Sequence, residues 1–250
     1  MSPKRPAPSI RVTQRVTNSG WWATVPLHLE SSERSWCRQA TPFLGWLIAA
    51  VLPFAAHGTS TAQQEFDSVL HCKADLARGQ KLFDTCAACH SSDGSGVSDG
   101  TVPAIAAQHF SVIASELIEY RHDARWDERM EHFTDNHHMS GAQDIADIAA
   151  YVSRLRPTPA LGLGSGEYVK HGAEVYARLC ASCHGARGEG DNRKRYPRLA
   201  GQHYEYLLAQ LHDAAGGRRP NFPPAHIHLL QRFGPSDYIG IADYLSRLGP

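Results

Sequence analysis

The chain has 250 residues, with 42% hydrophobic residues and 25 basic residues that balance 25 acidic ones. This length suits two small domains, and the composition excludes collagen, a coiled coil and a disordered acidic protein. Residues 63–250 contain 19 Lys/Arg and 23 Asp/Glu, a balance of about −4. Such a charge argues against a nucleic-acid-binding protein, because that function needs a clearly basic surface.

Residues 1–62 are interpreted as a signal peptide or N-terminal extension. Arg34 and Arg38 precede an apolar run over residues 43–56, and Ser60 and Ala62 fit the small-x-small rule for signal-peptide cleavage. The apolar run is too short to span a bilayer comfortably. We therefore expect a cleaved signal peptide and a periplasmic protein. A retained anchor with weak membrane association is the alternative, as is the absence of any signal peptide.

The rest of the chain is an internal duplication. The sequence Cys-Ala-Ala-Cys-His at 86–90 recurs as Cys-Ala-Ser-Cys-His at 180–184, and the same offset of 94 aligns 103–109 with 197–203. Near the end of each half the offset is 93, which aligns 144–151 with 237–244. The duplication predicts one domain over residues 63–156, a linker rich in Pro and Gly over 157–166, and a second domain over 167–250.

The periodicity predicts an all-α fold in both domains. Helices are expected over 74–85 and 167–179, near 110–121 and 203–213, and from about 141 and 236 to the end of each half. An apolar stripe at helical spacing marks the last helix of the first domain, and Ser140 with Gln143 predicts a capping box at its start. Sustained strand alternation is missing from the sequence.

Each Cys-x-x-Cys-His motif is the attachment signature of a c-type haem. The sulfurs of Cys86 and Cys89, and those of Cys180 and Cys183, would bond to the vinyl groups of one haem each. His90 and His184 would each provide one axial nitrogen to iron. A disulfide oxidoreductase would place such cysteines in an α/β pattern, and a zinc domain would have closer cysteine pairs. We therefore expect two covalent haem c groups.

These motifs and their surroundings carry a resemblance to a known family. Each half resembles class I cytochrome c, and the tandem resembles the cytochrome c4 family of dihaem electron carriers, over nearly all of residues 74–248. The resemblance implies that the first helix of each half crosses the last, with Gly79 near Tyr151 and Gly172 near Tyr244. It also implies that the carbonyl regions of Pro103 and Pro197 orient the two axial histidines.

The sequence departs from that family at the distal ligand, which is usually a methionine before the last helix. The second half contains no methionine, since the three in the chain are Met1, Met130 and Met139. His132 and His226 are separated by the repeat offset of 94 and are predicted as distal iron ligands. In the first half Met130, Met139, His137 and His138 are alternatives, and in the second half His228 is the alternative.

The expected function is electron transfer, without catalysis, between redox protein partners such as a quinol-oxidising complex, a terminal oxidase or a reductase. A dihaem enzyme of peroxidase or thiosulfate dehydrogenase type is the alternative and would need an open iron position. A fixed cytochrome subunit of a larger oxidoreductase is a third interpretation. Cys72, which lies outside both motifs, is interpreted as an incidental thiol.

Overall fold

A computed structural model describes residues 60–159 and 162–249 of the chain. Within these ranges the structure is all-α, as predicted, with one isolated β-bridge between Asp191 and Tyr196. The first half contains α1 (Thr61–His71), α2 (Leu76–His90), α3 (Phe110–Arg121), α4 (Glu128–Thr134) and α5 (Ala142–Val152). The second half contains α6 (Val169–Leu179), α7 (Ala181–His184), α8 (Tyr204–Ala215), α9 (Pro224–Leu230) and α10 (Pro235–Ser246).

The predicted signal peptide falls outside the described residues, except for its last three. None of the helices in the described ranges is long and apolar enough to cross a membrane.

The first and last long helices of each half cross at a glycine. A Cβ on Gly79 of α2 would clash with the carbonyl oxygen of Asp147 in α5, and a Cβ on Gly172 of α6 would clash with that of Gly240 in α10. One turn along, an aromatic pair packs at each crossing, Phe83 with Tyr151 at 5.4 Å and Tyr176 with Tyr244 at 5.5 Å between ring centroids. The implied helix crossing is therefore present in both halves.

The segment between the crossing glycine and the cysteine motif is one residue longer in the second half than in the first. The crossing glycines and their aromatic neighbours are related by an offset of 93, whereas the cysteine motifs are related by 94. In the first half α2 continues through the motif to His90, beyond the predicted end at residue 85. In the second half the extra residue ends α6 at Leu179, and the motif forms the separate short helix α7.

Helix α1 was missed by the sequence analysis. It begins at a Ser60 cap, whose side chain accepts a 3.2 Å hydrogen bond from the Gln63 amide, and it buries Phe66 and Val69 in the first core. The helix lies at the boundary of the predicted signal peptide. Only two of its residues are buried.

Two local predictions are wrong. The amide and hydroxyl of Ser140 both bond to the carboxylate of Asp144, at 2.7 and 2.8 Å, and Gly141 rather than Ser140 caps α5. Asp144 thus takes the role predicted for Gln143, because the helix begins one residue later. Cys72 is not a free thiol but is disulfide-bonded.

The two halves join through contacts that follow the repeat. Gln202 donates to the carbonyl of Ala104 at 2.7 Å and accepts from its amide at 3.0 Å. Gln108 makes the matching pair with Arg198, at 3.0 and 2.9 Å. Because these partners are related by the offset of 94, the interface has an approximate two-fold symmetry. Each glutamine side chain hydrogen-bonds to the backbone of the opposite half.

Candidate haem sites

The motif histidines His90 and His184 are oriented by equivalent hydrogen bonds. The Nδ1 of His90 donates to the carbonyl of Pro103 at 3.0 Å, and that of His184 donates to the carbonyl of Pro197 at 3.1 Å. Burial lowers the pKa of both imidazoles despite these hydrogen bonds. A neutral ring with its proton on Nδ1 leaves the Nε2 lone pair for a metal, which is the arrangement that metal-bound histidines adopt.

Each motif presents one cysteine towards the protein and one towards solvent. Cys86 and Cys180 are half-buried against the two cores, where burial raises the pKa of each thiol to about 11. Cys89 and Cys183 are exposed, and none of the four forms a disulfide bond. An inner and an outer thiol beside one histidine suit attachment to the two vinyl groups of a haem that is partly covered by protein.

In the second half a histidine faces the motif histidine. His226 is the third residue of α9, and its ring centroid lies 6.3 Å from that of His184. A metal–imidazole bond is about 2 Å long and the nitrogen lies about 1 Å from the ring centroid, so two rings on one metal have centroids roughly 6 Å apart. The spacing therefore fits an iron between the two rings. His228, the alternative, is exposed.

Burial also lowers the pKa of His226, with further contributions from His184 and Arg219. Phe222 packs on the His226 ring at 4.9 Å between centroids and fixes its orientation. The imidazole is thus held in the neutral form that can bind a metal.

The structure places His132 differently from His226. The exposed ring of His132 lies against Phe133, at 5.1 Å between centroids, and against His138, at 4.4 Å. His137 is exposed nearby. Met139 is buried in the first core, with 4% of its surface exposed.

Met130 holds the position in the first half that His226 holds in the second. Helices α4 and α9 each have seven residues, with caps at Asp127 and Pro223, so Met130 and His226 are both third residues. Arg125 and Arg219 are separated by the repeat offset of 94, but two more residues lie between Arg219 and α9 than between Arg125 and α4, so the offset there is 96. The side chain of Met130 is partly buried against the first core. Its neighbours Asp127 and Arg129 act electrostatically on His90.

A polar network missed by the sequence analysis lies between the halves. Arg125 is buried, pairs with Glu116 at 2.7 Å and donates to the hydroxyl of Tyr206 at 2.7 Å. Arg219 is buried as well and donates to Gln210. The repeat alignment matched the two arginines, but only the fold shows that both lie at the interface.

Comparison with known proteins shows which family the chain belongs to. The family model for cytochrome c matches residues 76–156 and 169–247, which covers both halves. The chain belongs to the cytochrome c family. Its tandem arrangement is that of cytochrome c4, so it binds two covalent haem c groups and acts in electron transfer, as the resemblance predicted.

Several relatives carry the same arrangement. Cytochrome c4 from Azotobacter vinelandii is 28% identical over 172 residues, which cover 60% of this chain and 77% of the relative. Cytochrome c4 from Pseudomonas aeruginosa is 27% identical over 186 residues, covering 71% and 90%. A thiosulfate dehydrogenase electron acceptor from Stutzerimonas stutzeri is 27% identical over 203 residues, covering 72% and 91%.

Among solved structures, reduced recombinant cytochrome c4 from Pseudomonas stutzeri matches with a TM-score of 0.63 and 24% identity. The match covers 71% of this chain and 100% of that one. It shows that the tandem cytochrome fold is shared.

Proposed function

We propose that the chain is an exported dihaem electron carrier whose two irons have different axial ligands. Cys86, Cys89, Cys180 and Cys183 attach the haems. The first iron is bound by His90 and Met130, and the second by His184 and His226. The facing rings of His184 and His226 carry this assignment, because their spacing fits one metal. Met130 follows from its equivalent place on α4.

The proposed ligand difference gives the two haems different reduction potentials. A haem with both axial positions filled exchanges single electrons and offers no open position to a substrate. A methionine ligand raises the potential of a c-type haem, whereas imidazole is the stronger donor and favours ferric iron. His226 therefore lowers the potential of the second half. Electrons that enter at the second half move energetically downhill to the first.

The interface between the two halves supports electron transfer from one haem to the other. Pro103 holds His90, and the next residue, Ala104, is hydrogen-bonded to Gln202 of the second half. Pro197 and Arg198 repeat this arrangement with Gln108. A short route of covalent and hydrogen bonds thus joins the supports of both motif histidines, and it fixes the distance between the halves.

Export to the periplasm is supported by the N-terminal segment, which has the composition of a signal peptide. The partners we propose are a quinol-oxidising complex as donor and a terminal oxidase or reductase as acceptor.

A dihaem enzyme is the second candidate, suggested by the relatives whose names refer to thiosulfate dehydrogenase. Both of those names describe an electron acceptor, which is a carrier's role. The placement of His226 opposite His184 argues against an open position in the second half.

Carbon monoxide binding tests the carrier function. The reduced holoprotein, shown by mass spectrometry to contain two covalent haems, is exposed to carbon monoxide and followed in the Soret region. We expect no rapid change, because both axial positions at each iron are filled. A rapid change at one haem would favour the enzyme, and a mass with a single haem would contradict the attachment assignment.

A further inference from the structure

Three donor side chains converge at the end of α4, on the surface of the first half. The metal-binding atoms of His132, Asp135 and His138 all lie within 4.8 Å of one another. The Nδ1 of His138 is 2.8 Å from Oδ1 of Asp135, and the rings of His132 and His138 are 4.4 Å apart between centroids. In the described part of the chain, this is the one group of three such residues arranged closely enough to share a cation.

The turn that carries these side chains is fixed by its own hydrogen bonds. Oδ1 of Asp135 accepts from the backbone amides of His137 and His138, at 2.8 and 3.0 Å. These bonds hold the carboxylate beside the ring of His138. The position of Asp135 therefore does not depend on a bound cation.

A buried arginine hydrogen-bonds to both ends of the same turn. Arg121 donates from Nε to the carbonyl of Thr134 at 2.7 Å and from Nη2 to that of Met139 at 2.8 Å. Its side chain is 7% exposed and pairs with Glu65 of α1. Because residues 134 and 139 are tied to one rigid group, little conformational freedom remains to be lost when a ligand binds.

We propose that His132, Asp135 and His138 bind a divalent first-row transition cation, such as zinc; the inference rests on the proposed function, in which none of the three is an iron ligand. Two imidazoles and one carboxylate suit zinc, nickel or copper, whereas magnesium and calcium prefer oxygen ligands alone. The histidines are exposed, so a cation has free access and keeps open positions for water. The first half also has eight Lys/Arg and fifteen Asp/Glu over residues 63–156, about −7, which attracts cations.

Calorimetric titration of the holoprotein with zinc tests the site. We expect one saturable site per chain and no comparable binding of magnesium. His138→Ala and His132→Ala should each weaken zinc binding by at least the roughly 10–100-fold that loss of a group supporting a metal ligand costs. His137→Ala is the matched control, since this exposed histidine lies in the same turn but outside the group.

The haem spectrum separates this site from the iron ligands. His138→Ala should lose zinc binding while the visible spectrum of both haems stays unchanged, which also shows that the first half remains folded. Unchanged zinc affinity in a variant lacking both His132 and His138 would overturn the proposal. Equal loss of affinity in His137→Ala would also overturn it, because the binding would then come from the general histidine content.

Discussion

Met130 of α4 and His226 of α9 occupy equivalent positions in two short helices. They are the residues proposed as the distal iron ligands of the two halves. Both are third residues of seven-residue helices that precede the last helix of their half. The ring of His226 faces that of His184 at 6.3 Å, and the side chain of Met130 packs against the first core. In the proposed assignment, a thioether and an imidazole at equivalent positions would give the two irons unequal ligand sets.

Substitutions on α4 distinguish the two candidate ligands of the first iron. Met130→Ala should remove the weak sulfur-to-iron absorption band of the oxidised protein and convert the first haem from low-spin to a form that binds carbon monoxide. His132→Ala should leave both properties unchanged, because the His132 ring lies against His138. The visible spectrum measures both effects. Absence of the band from the unsubstituted protein, with carbon monoxide binding only after His132→Ala, would return His132 to the role predicted from the repeat.

The sequence predicts the attachment residues more directly than the distal ligands. The motifs at 86–90 and 180–184 define the cysteines and one histidine of each site by spacing alone. The distal position depends on where α4 and α9 begin, and two extra residues before α9 shift the alignment there. The offset of 94 therefore paired His226 with His132. Helix caps, which single-sequence periodicity places poorly, change that pairing to Met130.

At the scale of the elements, the fold depends on the crossing of the first and last helices in each half. Gly172 lies against the carbonyl of Gly240, and Gly79 lies against that of Asp147. The sequence analysis predicted α2, α3, α5, α6, α8 and α10. Helices α1, α4, α7 and α9 were missed, since α4, α7 and α9 are short and α1 buries only two residues.

Gly172→Ala should destabilise the second half by about 1–3 kcal/mol, because the added methyl group overpacks a helix crossing with backbone on the other side. Thermal unfolding of the holoprotein followed by circular dichroism measures the effect. Gly249→Ala is the control, as a Cβ there meets no atom within 4 Å. Equal stability of the two variants would show that the crossing tolerates a wider separation.

The contacts of Asp144 at the start of α5 make the stability of the first half depend on pH. Burial alone would raise the pKa of Asp144, but the hydrogen bonds from Ser140 and the ion pair with Arg78 outweigh it, so the pKa is lowered. A carboxyl with a lowered folded pKa stabilises the fold fully above its unfolded pKa of about 3.9. That stabilisation is lost as the pH falls through the lowered folded value.

Asp144→Asn should therefore cost about 1–3 kcal/mol of unfolding free energy at pH 7, the range for a hydrogen bond to a charged group. The difference from the unsubstituted protein should shrink below about pH 4. Denaturant unfolding at several pH values measures it. A difference that stays constant down to pH 2 would assign the cost to packing rather than to charge.

At the scale of the whole molecule, the two halves differ in charge as well as in their proposed iron ligands. Residues 63–156 carry about −7, and residues 157–250, with eleven Lys/Arg and eight Asp/Glu, carry about +3. The reciprocal glutamine bonds hold these halves together as one compact unit. Such a dipole orients the molecule at its partners before contact.

Electron transfer with a protein partner should accordingly slow as salt is added from about 20 mM to 200 mM, where screening shortens the Debye length below about 10 Å. Stopped-flow rates with the partner measure this, and an uncharged chemical reductant serves as the control. A flat response with the protein partner would show that the uneven charge is ordinary solvated surface.

The most direct test of the unequal ligand sets is a redox titration of the holoprotein and of its His226→Met variant, followed by visible absorption. The intact protein should show two separate one-electron steps and a sulfur-to-iron band of the intensity expected for one haem. In the variant, the lower step should rise towards the higher one and the band should double, because both irons would then have a thioether ligand. The account would be contradicted if the intact protein showed no such band, or if the variant left both potentials unchanged.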